Sequence, residues 1–361
     1  MNENLKALSA AGVSIWLDDL SRERIDSGNL ADLIKNHHVV GVTTNPTIFA
    51  QALAKGIGYS ERITTLGSAD VSEVMWALMI DDVRDACDLL FDVYRESGGF
   101  DGRVSIEVDP TFAHDTQKTV VMAKELWAKV DRPNLLIKIP ATEQGLAAVT
   151  ECIANGISVN VTLIFGIDRY EKVIDAYWIG LEKAAENGID LGGIHSVASF
   201  FVSRVDTDVD AQLSKLGRPE LGGAAAVANA RLAHETFVKM HDQDRWQNLA
   251  QRGANVQRPL WASTGVKNPN YPDTLYVSEL VVANSVNTMP ESTLLAFADH
   301  GPAPRDLVTG NYSDAKKLFA EIAAIGVSYA DLTERLEREG LQKFVESWTE
   351  LQSTVGQALA K

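Results

Sequence analysis

Residues 135–141 read LLIKIPA, an apolar run of one strand's length broken by a single lysine, Lys138. Read with period two, Leu135, Ile137 and Ile139 share one face, and Lys138 shares the other with Leu136. A parallel strand covered on both sides is normally close to continuous Val, Ile and Leu, so a charge in the middle of one needs a reason. The same split recurs along the chain. In RVSIEVD, residues 103–109, Ile106 and Val108 oppose Ser105, Glu107 and Asp109; in SVNVTLIF, residues 158–165, Val159, Val161 and Leu163 oppose Ser158, Asn160 and Thr162. The run 13–18 sets Ile15 and Leu17 against Trp16 and Asp18. The run 195–202 sets Ala198, Phe200 and Val202 against Ser199 and Phe201, and the run 259–265 puts Trp261 and Ser263 together.

With 39–45 and roughly 279–289, these make eight short β-like runs separated by segments of helical periodicity. Each parallel strand needs a crossover, so the alternation implies an α/β protein with a parallel sheet, and eight units predict a closed (β/α)8 TIM barrel with extra helices. The surplus length falls at about 46–102 and 203–258, which predicts helical insertions there within one domain spanning 1–361. One inserted helix starts at an Asp70 N-cap with Glu73 three residues on. It carries the stripe Met79, Val83, Ala86, Leu90 and Val93 and stops before Gly98-Gly99. A C-terminal helix at about 329–358 puts Leu341, Phe344, Val345, Trp348, Leu351 and Val355 on one face.

The 361 residues hold 33 Lys+Arg against 49 Asp+Glu, a net charge of −16, which excludes a broadly basic nucleic-acid binder. No apolar run approaches the roughly 18 residues of a membrane helix, and the N-terminus lacks a signal-peptide pattern, so a soluble, cytoplasmic protein with no membrane partner is expected. Two cysteines, Cys87 and Cys152, cannot build a disulfide framework; neither they nor the seven histidines have metal-ligand spacing, and no metal is expected. Asn160-Val161-Thr162 matches a glycosylation acceptor, but within a cytoplasmic strand that match is chance.

The polar phase carries Asp18, Asn45, Glu107, Lys138, Asn160, Thr162, Ser199 and Ser263, mostly late in their strands. In a barrel that phase faces the axis, and the late positions form the C-terminal mouth where barrel active sites are built. Each residue has a plainer reading. Lys138 could be a core lysine paired with Glu107 or Asp18; Asn45 could only cap a helix with Pro46 at N1; Asp18 could cap the helix starting near Ser21. Ser199 and Ser263 could be small fillers. The shared phase across independent strands favours a site, because burying several polar and ionised groups without function costs several kcal/mol for each imperfectly paired ion. A strand lysine flanked by carboxylates, hydroxyls and amides suits amine catalysis, in which a Schiff base serves as the electron sink for breaking the neighbouring C–C bond.

WLDD at 16–19, TTNPTIF at 43–49, SIEVDP at 105–110, LLIKIPAT at 135–142, NVTLIF at 160–165 and ASFFVSR at 198–204 resemble, in order, the signature motifs of the transaldolase family. WASTGVKNP at 261–269 is similar to its longer bacterial and plant-type branch. The resemblance implies that Lys138 forms the Schiff base, that Asp18 is the acid/base of aldol cleavage, and that Glu107 works through a water that Thr162 helps to hold. It further implies that Asn45, Asn160 and Ser199 bind dihydroxyacetone hydroxyls, that Phe201 lines the pocket, and that Arg204 and Ser263 contact a sugar phosphate. No cofactor is implied, and the partners are sugar phosphates. Transfer of dihydroxyacetone from sedoheptulose 7-phosphate to glyceraldehyde 3-phosphate is the expected reaction, by a monomer or homodimer of the pentose phosphate pathway.

One position departs from the pattern. Many family members carry a second phosphate-binding arginine two residues after the serine, where this chain has Gly265; Lys267 is the nearest cation, a point charge without arginine's fork. Two rival readings stand beside the transferase. A fructose-6-phosphate aldolase would release dihydroxyacetone to water, but those shorter relatives typically carry Gln and Tyr where this chain has Glu107 and Phe201. A non-catalytic sugar-phosphate-binding barrel gives no reason to hold an amine beside two carboxylates.

Overall fold

Every one of the eight apolar runs forms a strand, each shorter than its sequence window: β1 Val13–Leu17, β2 Val39–Val42, β3 Arg103–Glu107, β4 Leu135–Pro140, β5 Val159–Ile164, β6 Ser196–Phe201, β7 Arg258–Ala262 and β8 Ser285–Met289. In the computed structural model, which describes residues 2–66 and 70–359, they pair in parallel and in chain order into a closed barrel, β8 returning to β1. Parallel register puts paired residues on the same face. Glu107 pairs with Lys138 and Lys138 with Asn160, so the three form one row around the axis. Below that row the interior is filled. The Trp16 indole lies where a side chain at position 41 would project, and a Cβ on Gly41 would stand 2.5 Å from it, so only glycine fits.

Strict alternation fails in the seventh strand. Trp261 pairs with Phe200, and both turn outward into the helix layer, where Phe200 also meets Tyr170 edge-on. Leu260 and Ala262 therefore take the axial phase that the sequence reading gave to Trp261 and Ser263. Ser263 still reaches the mouth because its backbone is left-handed (φ 57°), which breaks the period of two just past the strand. The last run also shrinks. Only Ser285–Met289 of 279–289 is strand; Leu280, Val281 and Val282 are buried in an irregular segment that turns at Asn284 (φ 61°), with the Ser285 hydroxyl donating to the Val282 carbonyl.

The long intervals hold helices. Between β2 and β3 lie Pro46–Lys55, Ser60–Leu66, Val71–Leu89 and Phe91–Glu96; positions 67–69 of this interval are outside the described residues. Asp70 caps Val71–Leu89 through the amides of Ser72 and Glu73, but the helix breaks at Leu90, so Val93 belongs to a separate short helix. Between β6 and β7 lie Ser203–Lys215, Ala225–His241 and Asp244–Gln251. Asp18 does not cap the helix Arg22–Asp26; the Ser21 side chain does. That helix is tied to Val71–Leu89 through buried charge. Asp82 accepts from the Arg22 Nε at 2.8 Å and from the Tyr59 hydroxyl at 2.6 Å, and Asp85 accepts from a second Arg22 nitrogen at 2.6 Å.

The C-terminal helix, Tyr329–Leu359, lies across the mouth of the barrel. It buries Leu332, Leu336, Phe344, Trp348, Leu351 and Val355, while Leu341 and Val345 sit half-buried at the edge of the stripe. Gly340 permits the close approach, since a Cβ there would meet Leu163 at 3.2 Å and the Arg204 guanidinium at 3.4 Å.

Candidate active site

The amine of Lys138, a residue only 4% exposed, donates to the Thr44 carbonyl at 2.9 Å and stands 3.3 Å from Oε2 of Glu107, which is 1% exposed. The Phe344 ring centroid is 5.5 Å from the same nitrogen. Across the pit, half-buried Asp18 accepts from the Thr43 hydroxyl at 2.7 Å, and that hydroxyl lies 2.6 Å from the hydroxyl of Thr288. The cavity is about 320 Å³, and its wall includes Asp18, Asn45, Lys138, Thr162, Ser199, Phe201, Arg204, Ser263 and Lys267. Nine of the eleven residues singled out from sequence therefore meet in one pit.

The other two lie one layer beneath the wall. Glu107 reaches the pit through the Lys138 amine. Asn160 accepts from the Ser199 hydroxyl at 2.7 Å and donates to Ser105 at 3.0 Å, so it positions Ser199. Asn45 caps Pro46–Lys55 by accepting from the Ile48 amide, as one of its sequence readings had it, and it also lines the pit. Phe201 packs against Phe165 with ring centroids 5.1 Å apart, and the Arg204 guanidinium lies 5.4 Å from the Phe201 ring.

Burial governs the electrostatics. It pushes the Glu107 carboxyl up to about 7, with the Lys138 charge holding it back and Asp18 adding a smaller push. Asp18 is also raised by burial, against the opposing pull of Lys138 and the Thr43 hydrogen bond. Neither oxygen of Glu107 has a full hydrogen bond, and the buried Thr162 hydroxyl has no partner among the described residues. Such unfilled acceptors and donors suit a substrate and water.

Sequence reasoning missed Thr43, Thr288 and Phe344. Thr43 shares the phase of Asn45 and was legible. Thr288 was hidden by the uncertain limits of the last strand. Phe344 was read as buried, but nothing in the helix pattern said against what.

The family model described as Transaldolase/Fructose-6-phosphate aldolase matches residues 15–355. The chain belongs to that family. Among curated relatives, a Mycolicibacterium smegmatis protein called "Transaldolase" is 58% identical over 99% of this chain and 98% of its own length. Proteins of the same name from Frankia alni and Mycobacterium tuberculosis are 55% and 57% identical, covering 100% and 97% of this chain and 99% and 95% of their own lengths. In this transaldolase/fructose-6-phosphate aldolase family member, a side chain at position 265 would start 3.2 Å from Pro290, turned toward the end of β8. Lys267 lines the pit and is near enough to Asp18 to bias its charge. Beyond Arg204, Ser263 and Lys267 the pit runs into a wider cavity of about 900 Å³ walled by Lys215, Arg335 and Lys343, with Asp208 and Glu339 as the acidic members. That cationic excess stands out in a chain of net charge −16.

Proposed function

We propose that the chain is a transaldolase that moves dihydroxyacetone from sedoheptulose 7-phosphate to glyceraldehyde 3-phosphate, yielding erythrose 4-phosphate and fructose 6-phosphate. The observation that carries the reading is the buried Lys138 amine, 3.3 Å from Glu107 in a pit that Asp18 also lines. The curated relatives named transaldolase support it.

In this reading the Lys138 amine adds to the ketone carbon, and Glu107, through a water at Thr162, gives a proton to the departing hydroxyl as water leaves. Asp18 takes the proton of the C4 hydroxyl, the C3–C4 bond breaks, and its electron pair moves into the iminium to give an enamine. The aldose phosphate leaves. The enamine carbon attacks the incoming aldehyde, whose oxygen recovers the proton from Asp18, and hydrolysis frees the new ketose. Asn45 and Ser199 hold the hydroxyls of the bound unit, with Asn160 orienting Ser199. Arg204, Ser263 and Lys267 receive the phosphate at the cationic end. Placement in the cytoplasm accords with the absence, among the described residues, of a helix long and apolar enough to cross a membrane.

Borohydride reduction in the presence of fructose 6-phosphate tests the reading. A covalent three- or six-carbon adduct on Lys138 is expected, with turnover that depends on erythrose 4-phosphate or another aldehyde acceptor. An adduct with acceptor-independent release of dihydroxyacetone would make the chain an aldolase, and no adduct would leave a binding protein.

A further inference from the structure

Phe344 belongs to none of the eight strand–helix units, yet its ring covers the amine of Lys138 and is itself only 4% exposed. The helix carrying it is fastened on three sides. Thr47 and Ser347 share a hydrogen bond of 2.7 Å, Arg169 pairs with Glu337 at 3.2 Å, and Asp208 accepts from Arg335 at 2.7 and 2.9 Å. Gly340 seats the helix against Leu163 and Arg204 one turn before the ring. The groups able to hold water or sugar hydroxyls beside the amine, namely Glu107, Asn45, Thr162 and Ser199, all come from the strands or the strand ends. The amine therefore has a polar side supplied by the barrel and an apolar side supplied by one ring.

We propose that Phe344 sets the partition of the Lys138-bound three-carbon unit between transfer to an aldehyde and release to water. This rests on the transferase reading above. In transfer, the enamine carbon forms a bond to the aldehyde carbon, and the aldehyde oxygen takes a proton from Asp18. In release, the same carbon instead takes a proton from solvent, giving the iminium. A water oxygen then adds at the imine carbon and the C–N bond breaks; the oxygen stays with dihydroxyacetone, and both water protons leave on the amine as an ammonium. Release thus requires solvent at the bound unit while the acceptor half of the pit stands open. A buried ring over the nitrogen denies one direction of approach, so water arrives only where barrel groups hold it. The ring face also favours the iminium charge that precedes cleavage and returns once the enamine carbon has attacked the aldehyde or taken a proton.

The test uses the full-length wild type with Phe344→Ala, Phe344→Val and Phe344→Leu, their folding checked by circular dichroism. Acceptor-independent release of dihydroxyacetone from fructose 6-phosphate is compared with transfer to erythrose 4-phosphate. The ratio of release to transfer should rise on the order of tenfold in Phe344→Ala, less in Phe344→Val, and return to within about twofold of wild type in Phe344→Leu, whose apolar bulk restores the cover. If the alanine chain does not fold, the valine chain carries the comparison. Borohydride trapping in every chain separates the two levels of the argument. No adduct in the wild type overturns the functional reading; adducts throughout, with an unchanged ratio in the shortened variants, overturn the role of Phe344.

Discussion

Replacing Arg204 by alanine should separate phosphate recognition from the chemistry at Lys138. The half-buried guanidinium lies at the start of Ser203–Lys215, and its charge is disfavoured by burial, with Glu339 as the compensating influence. One of its terminal nitrogens is buried with no hydrogen-bond partner among the described residues. A buried charged donor left open is costly, whereas a charge-assisted bond to a phosphate oxygen contributes about 1.5–3 kcal/mol. That range corresponds to a change in binding of about 10–150-fold. Arg204→Ala should raise KM for erythrose 4-phosphate by that factor and leave KM for unphosphorylated erythrose within about twofold. Because the donor is unpaired in the free protein, thermal stability should fall little. Equal changes with the two acceptors, or an unchanged KM for the phosphorylated one, would show that Arg204 does not read the phosphate.

Asp18→Ala should still yield the borohydride adduct with fructose 6-phosphate while kcat drops by about 10²–10⁴-fold, the usual worth of a positioned acid/base; ordinary turnover in that variant would refute its role. Asp82→Ala strips the buried Arg22 of its main partner and should cost about 3–5 kcal/mol in urea unfolding, against well under 1 kcal/mol for an exposed pair such as Arg95 and Asp92. Acid should weaken the fold through buried His234 and half-buried His195 and His241. Burial holds His241 and His234 down to about 4 and His195 to about 3, so between an unfolded value near 6.5 and those values the unfolded chain takes up protons that the folded chain refuses. Their contribution is present above about pH 6.5 and is lost as pH falls toward 4. His241→Phe, which keeps an aromatic ring against Trp178, Trp246 and Phe237, should make the decline measurably shallower by denaturant titration; an unchanged slope would count against it.

Much of this was legible in the residues because period-two phase and parallel register are rigid rules. Lys138, Glu107 and Asp18 could be placed on one interior surface from three separate runs, and the structure brings Lys138 and Asp18 to one pit with Glu107 against the Lys138 amine just beneath its wall. The rules fail where the backbone leaves the strand. Ser263 enters the site through a left-handed residue that reverses the expected phase, which also sent Trp261 to the wrong face on paper. The buried segment Leu280–Val282 looks like a strand because burial, and not pairing, selects its residues. The roof was out of reach for another reason. An amphipathic stripe says which face of Tyr329–Leu359 is covered, but only tertiary packing says that the cover is the mouth of the barrel and that Phe344 falls over the lysine.

The nucleophile and the ring above it stand far apart along the chain, at positions 138 and 344. A ribosome has therefore delivered all eight staves before the closing ring emerges. A growing chain can assemble its sugar pocket first and acquire its protection from water last. By the same logic, a protease clip or a bulky fusion that unseats the final turns would leave an enzyme that still captures its ketose but loses the captured fragment, turning a carrier of carbon units into a leak.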